Sequence, residues 1–308
     1  MSRAGTPRSP LPQRLGVDAV RLRLPADGRW ETVLDHLLER LSTLGPAHVE
    51  AMLREGRVVD RDGTALRLDA PYVGGSSIWT QRELRPEVEV PFAIEVLHCD
   101  ERLVVLDKPH FLATMPRGRH VVQSALARAR HELRRPGLSP AHRLDRLTAG
   151  VLVLTTEQRW RGAYQGLFAD RAVSKEYLAV APVRDDLVLP LTLRNHLAKR
   201  RGRLQVDEVP DAPPNAETHV DLLERRGAMG LYRLVPTTGR THQLRRHLSG
   251  LGIPLVGDPL YPVVRRAEDD DFGDPLQLLA ASLAFTDPVD GTERHFASRR
   301  RLSGWPQQ

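Results

Sequence analysis

The chain of 308 residues has a single cysteine, Cys99. One cysteine excludes an intramolecular disulfide framework and any multi-cysteine zinc site, and it suits a reducing cytosol. No apolar run approaches the eighteen residues a membrane helix needs, and no signal-peptide core is present. A cytoplasmic protein with no membrane partner is therefore expected. No internal repeat appears, so a solenoid is not expected. Charge of either sign is not in large excess: 45 Lys and Arg stand against 39 Asp and Glu, giving +6 and a pI near 9.9. A basic balance favours an anionic partner such as nucleic acid. An arginine-rich composition alone would give the same number. The length allows one large domain and one small one.

Residues 1 to 15 carry Arg3, Arg8 and Arg14 among prolines and are expected to form a disordered basic tail. Residues 16 to 72 read as a small domain. Val33, Leu34, Leu37, Leu38 and Leu41 recur at helical spacing. Gly45-Pro46 breaks that helix, and Val49, Met52 and Leu53 mark a second. Residues 57 to 68 read as two short strands around an Asp62-Gly63 turn. Residues 73 to 92, with Gly74-Gly75-Ser76-Ser77, Pro86 and Pro91, read as a linker carrying an exposed Trp79.

The larger domain is expected over residues 93 to 308. Strands are expected at 94–97, 103–106, 151–154 and 177–180. A hairpin is expected at 219–223 and 231–235, and a final strand at 278–285. Helices are expected at 125–134 and 158–170. Residues 196 to 216, with Lys199-Arg200-Arg201 and Arg203, read as a mobile basic insertion suited to a phosphate backbone, or as an ordinary charged loop. The acidic run 268–271 reads as a surface loop. Strands mixed irregularly with helices suggest an α+β domain on a mixed, largely antiparallel sheet.

The chemistry concentrates at His142-Arg143-Leu144-Asp145-Arg146-Leu147-Thr148-Ala149-Gly150, a polar loop feeding the apolar run Val151-Leu152-Val153-Leu154. Loops on a rigid scaffold are where chemistry tends to reside. A carboxylate between two arginines is favoured in its ionised form, which is what a nucleophile or base requires. A turn with surface charge pairs is the alternative reading of these residues alone.

The segment His-Arg-Leu-Asp-x-x-Thr-Ala-Gly resembles the signature of the RluA-type pseudouridine synthases, which usually end it in Thr-Ser-Gly. Three more segments fall in that family's order: Leu106-Asp107-Lys108-Pro109, Ser174-Lys175-Glu176-Tyr177 and Gly239-Arg240-Thr241-His242-Gln243-Leu244-Arg245. The resemblance implies an α+β catalytic domain, RNA as the partner, no cofactor, and a monomer as sufficient. It implies detachment of uracil from ribose, rotation of the base, and reattachment through carbon. Asp145 would act on the sugar by covalent attack or by taking a ribose proton. Arg240 would pair with Asp145, at the entry of a helix capped by Thr241 and running through His247. Tyr177 would stack on the uracil, Leu244 would line the pocket, and Arg143 would hold the RNA with its base flipped out. His142 and Lys175 would lie in the RNA-binding surface. The N-terminal helices and hairpin resemble a small alpha-L RNA-binding module with Arg54 and Arg57 at its junction, which would favour ribosomal over transfer RNA. The chain departs from the family at His110-Phe111-Leu112, where a glycine turn is usual, and at Leu279, where a histidine is usual. A catalytically silent RNA-binding or ribosome-assembly factor is the rival reading. Asp145, Tyr177 and Arg240 occurring together speak against it.

Overall fold

The computed structural model describes residues 9–265 and 271–305 and divides into two units, residues 1–86 and 87–308. The expected tail falls partly at residues 1–8, and the acidic run largely at 268–270. Both of those stretches lie outside the described residues.

In the first unit, strand β1 (Val20–Arg23) precedes helix α1 (Val33–Arg40) and helix α2 (Pro46–Arg54), followed by β2 (Val58–Val59) and β3 (Ser77–Thr80). Thr32 starts α1 through a capping box: its hydroxyl accepts from the Asp35 N–H, and the Asp35 carboxylate accepts from the Thr32 N–H. Gly45, at φ +80, lets the chain turn into Pro46, whose fixed φ suits a first helical position. The apolar faces of both helices meet Leu24, Val58 and Ile78 in one small core. The three strands are antiparallel in the order β1-β3-β2. The expected hairpin at 57–68 shrinks to a single bridge, Val59 to Ala65. Val58 and Val59 pair instead with Thr80 and Trp79. Residues 77–80 are thus sheet and not linker, and Trp79 is only 2% exposed. An isolated short hairpin is marginal, and a third strand supplies the pairing it lacks.

The second unit begins with β4 (Glu95–Cys99) and β5 (Leu103–Lys108), then α3 (Ala125–Glu132), β6 (Ser139–Pro140), β7 (Ala149–Thr155) and α4 (Gln158–Ala169). β8 (Ser174–Pro182) and β9 (Leu191–Asn195) follow. The small pair β10 (Leu197–Ala198) and β11 (Asp207–Glu208) comes next, then β12 (Ala216–Arg226), β13 (Met229–Pro236) and α5 (Gln243–Gly250). β14 (Leu278–Thr286) is not the last strand, because β15 (Glu293–Ala297) pairs beside it. One sheet runs β4-β5-β7-β14-β8-β13-β12-β9, with β15 on β14 and β6 on β7. Only β7 and β14 are parallel neighbours, so the sheet is mixed and largely antiparallel.

The unbroken apolar runs of β5 and β7 are explained by burial on both faces. Val104, Leu106, Leu152 and Leu154 pack with Ala125, Leu126 and Ala129 of α3. Their alternates Leu103, Val105, Val151 and Val153 pack with Tyr164 of α4. β13 instead alternates half-buried with buried residues, as a strand with one core face does. Residues 197–208 form a short hairpin on the two-residue pair β10–β11. The Lys199 ammonium donates to the carbonyls of Leu204 and Gln205, and Asp207 pairs with Arg200 and Arg203. Among the described residues no helix is long and apolar enough to cross a membrane.

Candidate active site

The polar loop before β7 is pinned by the segment that leaves β5. The fully buried Lys108 ammonium donates to the carbonyls of Pro109 at 3.0 Å, Leu112 at 2.8 Å and Arg146 at 3.3 Å. The Thr114 hydroxyl donates to the Leu144 carbonyl at 2.7 Å and accepts the Leu144 N–H at 3.0 Å. His110 Nδ1 lies 2.6 Å from the Leu147 carbonyl. The departure at 110–112 thus keeps a tight turn without glycine: Phe111 takes φ +68 and packs its ring in the main core. The Thr148 N–H donates to the Asp145 carbonyl and closes the turn that presents Asp145. Gly150, at φ +110, lies so close to β14 that a Cβ would overlap the Ala280 carbonyl oxygen. Glycine is needed there for the parallel crossing.

The facing wall comes from β8 and α5. Tyr177 on β8 sits opposite Ala280 and Leu234. The Gln243 amide donates to the Glu217 carbonyl and the Thr218 hydroxyl, and its oxygen accepts from the Thr238 hydroxyl and the Arg240 N–H. This clamp holds the turn into α5. Thr241 is not its cap: the helix starts at Gln243 after His242 in a left-handed conformation, φ 52, with no side-chain cap.

The expected Arg240–Asp145 pair is not made. Arg240 is exposed and its Nε donates to the Asn215 carbonyl at 3.0 Å. Arg245, one turn into α5, places Nη1 3.9 Å from Asp145 Oδ2, and His242 Nε2 stands at the same distance. Arg245 is 2% exposed and is gripped by both oxygens of the buried Asp258, at 2.8 and 2.6 Å. The fork geometry of a guanidinium suits such a grip. Neither Arg245 nor His242 was singled out from the sequence. The segment was in view, but the resemblance gave the pairing to Arg240, with Thr241 expected to cap a helix that instead starts at Gln243.

Three cavities meet at Arg143, and two of them also reach Asp145. The smallest, about 120 Å³, is lined by Asp145, Tyr177, Leu244, Arg245 and Leu278. A second of about 350 Å³ runs past Arg143, Arg171, Lys175 and Arg240, and a third of about 880 Å³ past Arg117, Arg146 and Leu204. Arg143 borders all three.

Burial sets the electrostatics. It pushes Lys108 down to about 7, against the pull of Asp145. It pushes His242 down to about 4, again against Asp145. The Tyr177 hydroxyl is raised by burial and by Asp145 nearby, so it stays protonated at neutral pH. His142 borders the cavity of about 350 Å³ with its ring engaged: Nε2 accepts the Val153 N–H at 3.1 Å and the ring stacks on Phe168. The Lys175 ammonium donates to the Thr238 carbonyl. Arg54 pairs with Glu50, and Arg57 with Glu55 and Glu83, inside the first unit. Among the described residues no three His, Cys, Asp or Glu side chains gather as a metal would require.

Residues 102–250 match the family model described as RNA pseudouridylate synthase. The chain is 31% identical over 246 residues to "Ribosomal large subunit pseudouridine synthase D" of Xylella fastidiosa, covering 77% of this chain and 72% of that one. It is 32% identical over 200 residues to "Dual-specificity RNA pseudouridine synthase RluA" of Vibrio cholerae, covering 63% and 78%. The solved structure of "Human RNA Pseudouridylate Synthase Domain Containing 1" aligns with a TM-score of 0.56 at 24% identity, over 70% of this chain and 86% of that one. That last likeness is one of fold.

Proposed function

The chain belongs to the RluA-type RNA pseudouridine synthases, and we propose that within this family it isomerises uridines of large-subunit ribosomal RNA at a centre built on Asp145. The preference for ribosomal RNA is supported by the relative from Xylella fastidiosa, whose name specifies that substrate. Transfer RNA is the alternative. The reaction moves one base within one nucleotide, so it calls for no outside redox partner or group donor.

The observation that carries the mechanism is that Asp145 sits where two cavities meet, the smaller lined by Tyr177 and Leu244. A uracil rotated out of its stack would enter the small cavity, between the Tyr177 ring and Leu244. Asp145, on the rim, would face the ribose. There it acts as nucleophile on the sugar or as base toward a ribose proton. Arg245, held by Asp258, supplies the positive charge beside the carboxylate, the role expected of Arg240. Arg240 itself, with Arg143, Arg171 and Lys175, borders the groove where the RNA backbone would run. Recognition of RNA through phosphates and 2′-hydroxyls suits that arginine-rich rim. Arg54 and Arg57 would add RNA contacts from the first unit by exchanging carboxylate partners for phosphate. A monomer acting in the cytoplasm suffices for this chemistry.

The test is tritium release from RNA labelled at uridine carbon 5, run on separated ribosomal and transfer RNA. Wild type should release tritium from large-subunit RNA. Asp145→Asn should lose on the order of a thousandfold or more while binding RNA about as well. Wild-type release by Asp145→Asn would overturn the role of Asp145, and release from transfer RNA alone would overturn the substrate. A silent binding factor would release nothing from either pool.

A further inference from the structure

We propose that His242 is a positioning residue for Asp145: the Tyr261 hydroxyl fixes its tautomer, so that the ring presents Nε2–H to the carboxylate. The inference rests on the reading of Asp145 as the reacting carboxylate, and its first measurement does not depend on turnover.

The argument starts at a backbone amide. The Val206 N–H donates to the Tyr261 oxygen at 2.7 Å. A phenol carries one proton, and the other polar partner found for that oxygen is His242 Nδ1 at 3.3 Å. The oxygen already accepts from Val206, and turning its own proton to Nδ1 uses its donor as well; Nδ1 then accepts. Burial keeps the His242 ring neutral at physiological pH, and a neutral imidazole accepting at Nδ1 carries its proton on Nε2. Nε2 is the atom 3.9 Å from Asp145 Oδ2. Catalytic hydrogen bonds are commonly long in the resting enzyme and tighten with substrate. Once Oδ2 is engaged by His242 and Arg245 in this way, the other oxygen is left for the ribose.

Other contacts fix the ring in place. His242 takes its left-handed conformation without glycine, and its ring meets Tyr261 edge-on, 5.9 Å between centroids. The Tyr261 ring also lies under the Arg245 guanidinium at 5.5 Å. The Tyr261 N–H donates to Asp258, the residue that grips Arg245. One short loop therefore sets both groups beside Asp145. That loop is tied to the basic hairpin by Val206 and by Gln205, whose amide donates to the Leu260 and Pro262 carbonyls.

The test is long-range proton–nitrogen NMR on the full chain labelled with ¹⁵N-histidine, paired with tritium release. Wild type should show His242 protonated at Nε2 and not at Nδ1 near neutral pH. Tyr261→Phe should give a mixture of tautomers. His242→Leu should lower kcat on the order of ten- to a hundredfold, the range for a hydrogen bond to a charged group, with KM changed less than about threefold. His242→Gln, whose amide N–H₂ reaches the Nε2 position, should recover most of that loss. The two substitutions share the same backbone strain, so their difference reports the donor. A ring protonated at Nδ1, a loss confined to KM, or equal losses for Leu and Gln would overturn the proposal. An Nε2 tautomer beside an Asp145→Asn enzyme that still turns over would overturn the carboxylate assignment and leave the tautomer lock standing.

Discussion

Arg245 shows how much a single buried side chain decides. Its guanidinium is almost wholly removed from water and is compensated by Asp258 on one side and Asp145 on the other. Removing one partner of a buried pair costs about 3–5 kcal/mol, because the other is left uncompensated. Arg245→Lys keeps the charge and loses the fork. It is expected to lower the urea midpoint measurably and to cut tritium release at least about tenfold, whereas Arg240→Ala should leave the midpoint unchanged. An Arg240→Ala enzyme that behaves like Arg245→Lys would reverse this assignment. The family resemblance pointed to Asp145, Tyr177 and Leu244, and the structure lines one cavity with all three. The arginine was not legible. Which of two arginines five residues apart turns inward depends on where α5 begins, and Gln243 fixes that start by bonding to β12, a contact no local pattern reveals. His142 borders the same cavity as Arg143 and Lys175, but that its Nε2 answers a backbone N–H eleven residues away was not legible either.

Among the elements, β5, β7, β12 and β13 were legible because burial writes itself into the sequence, as unbroken apolar runs or as alternation. β1, β3 and β15 were not. Each is short and carries charged or small polar residues, and its strand character comes from the neighbour it pairs with. Residues 196–216 were read as a mobile basic insertion or an ordinary charged loop; the short β10–β11 pair, with Asp207 on Arg200 and Arg203 and the carbonyl contacts of Lys199, was not legible. Replacing Arg200, Arg201 and Arg203 together by Ala should weaken RNA binding. The plot of log Kd against log salt should flatten by about 2, from ~0.7 per phosphate contact on single strands. An unchanged slope would remove the hairpin from the RNA surface. At the β7–β14 crossing, Gly150→Ala should cost on the order of 3 kcal/mol in denaturant unfolding, from overlap with the Ala280 carbonyl and an unfavourable φ.

For the whole molecule, stability should fall on acidification. Burial pushes His110, His242 and His247 down to about 4 and His142 to about 3. The unfolded chain takes up these protons near 6.5, so the stabilisation is complete above 6.5 and is lost as pH falls through about 4. Each group contributes a slope of up to ~1.4 kcal/mol per pH unit in that window. Lys108, pushed down to about 7, acts with the same sign at higher pH: its contribution is complete above 10.5 and is lost as pH falls through about 7. Urea midpoints at pH 5, 7 and 9 should therefore rise in that order up to any alkaline limit set by other groups. A higher midpoint at pH 5 than at pH 7 would contradict the burial of these rings.

The strand order carries one more consequence. β14, drawn from residues 278–286, lies between β7 and β8, which are complete a hundred residues earlier in the chain. Until it slots in, the strand fed by the Asp145 loop and the strand bearing Tyr177 have no shared neighbour, and both present open edges. A chain that stops short of β14 therefore carries the Asp145 loop and Tyr177 on two strands with nothing to hold them side by side.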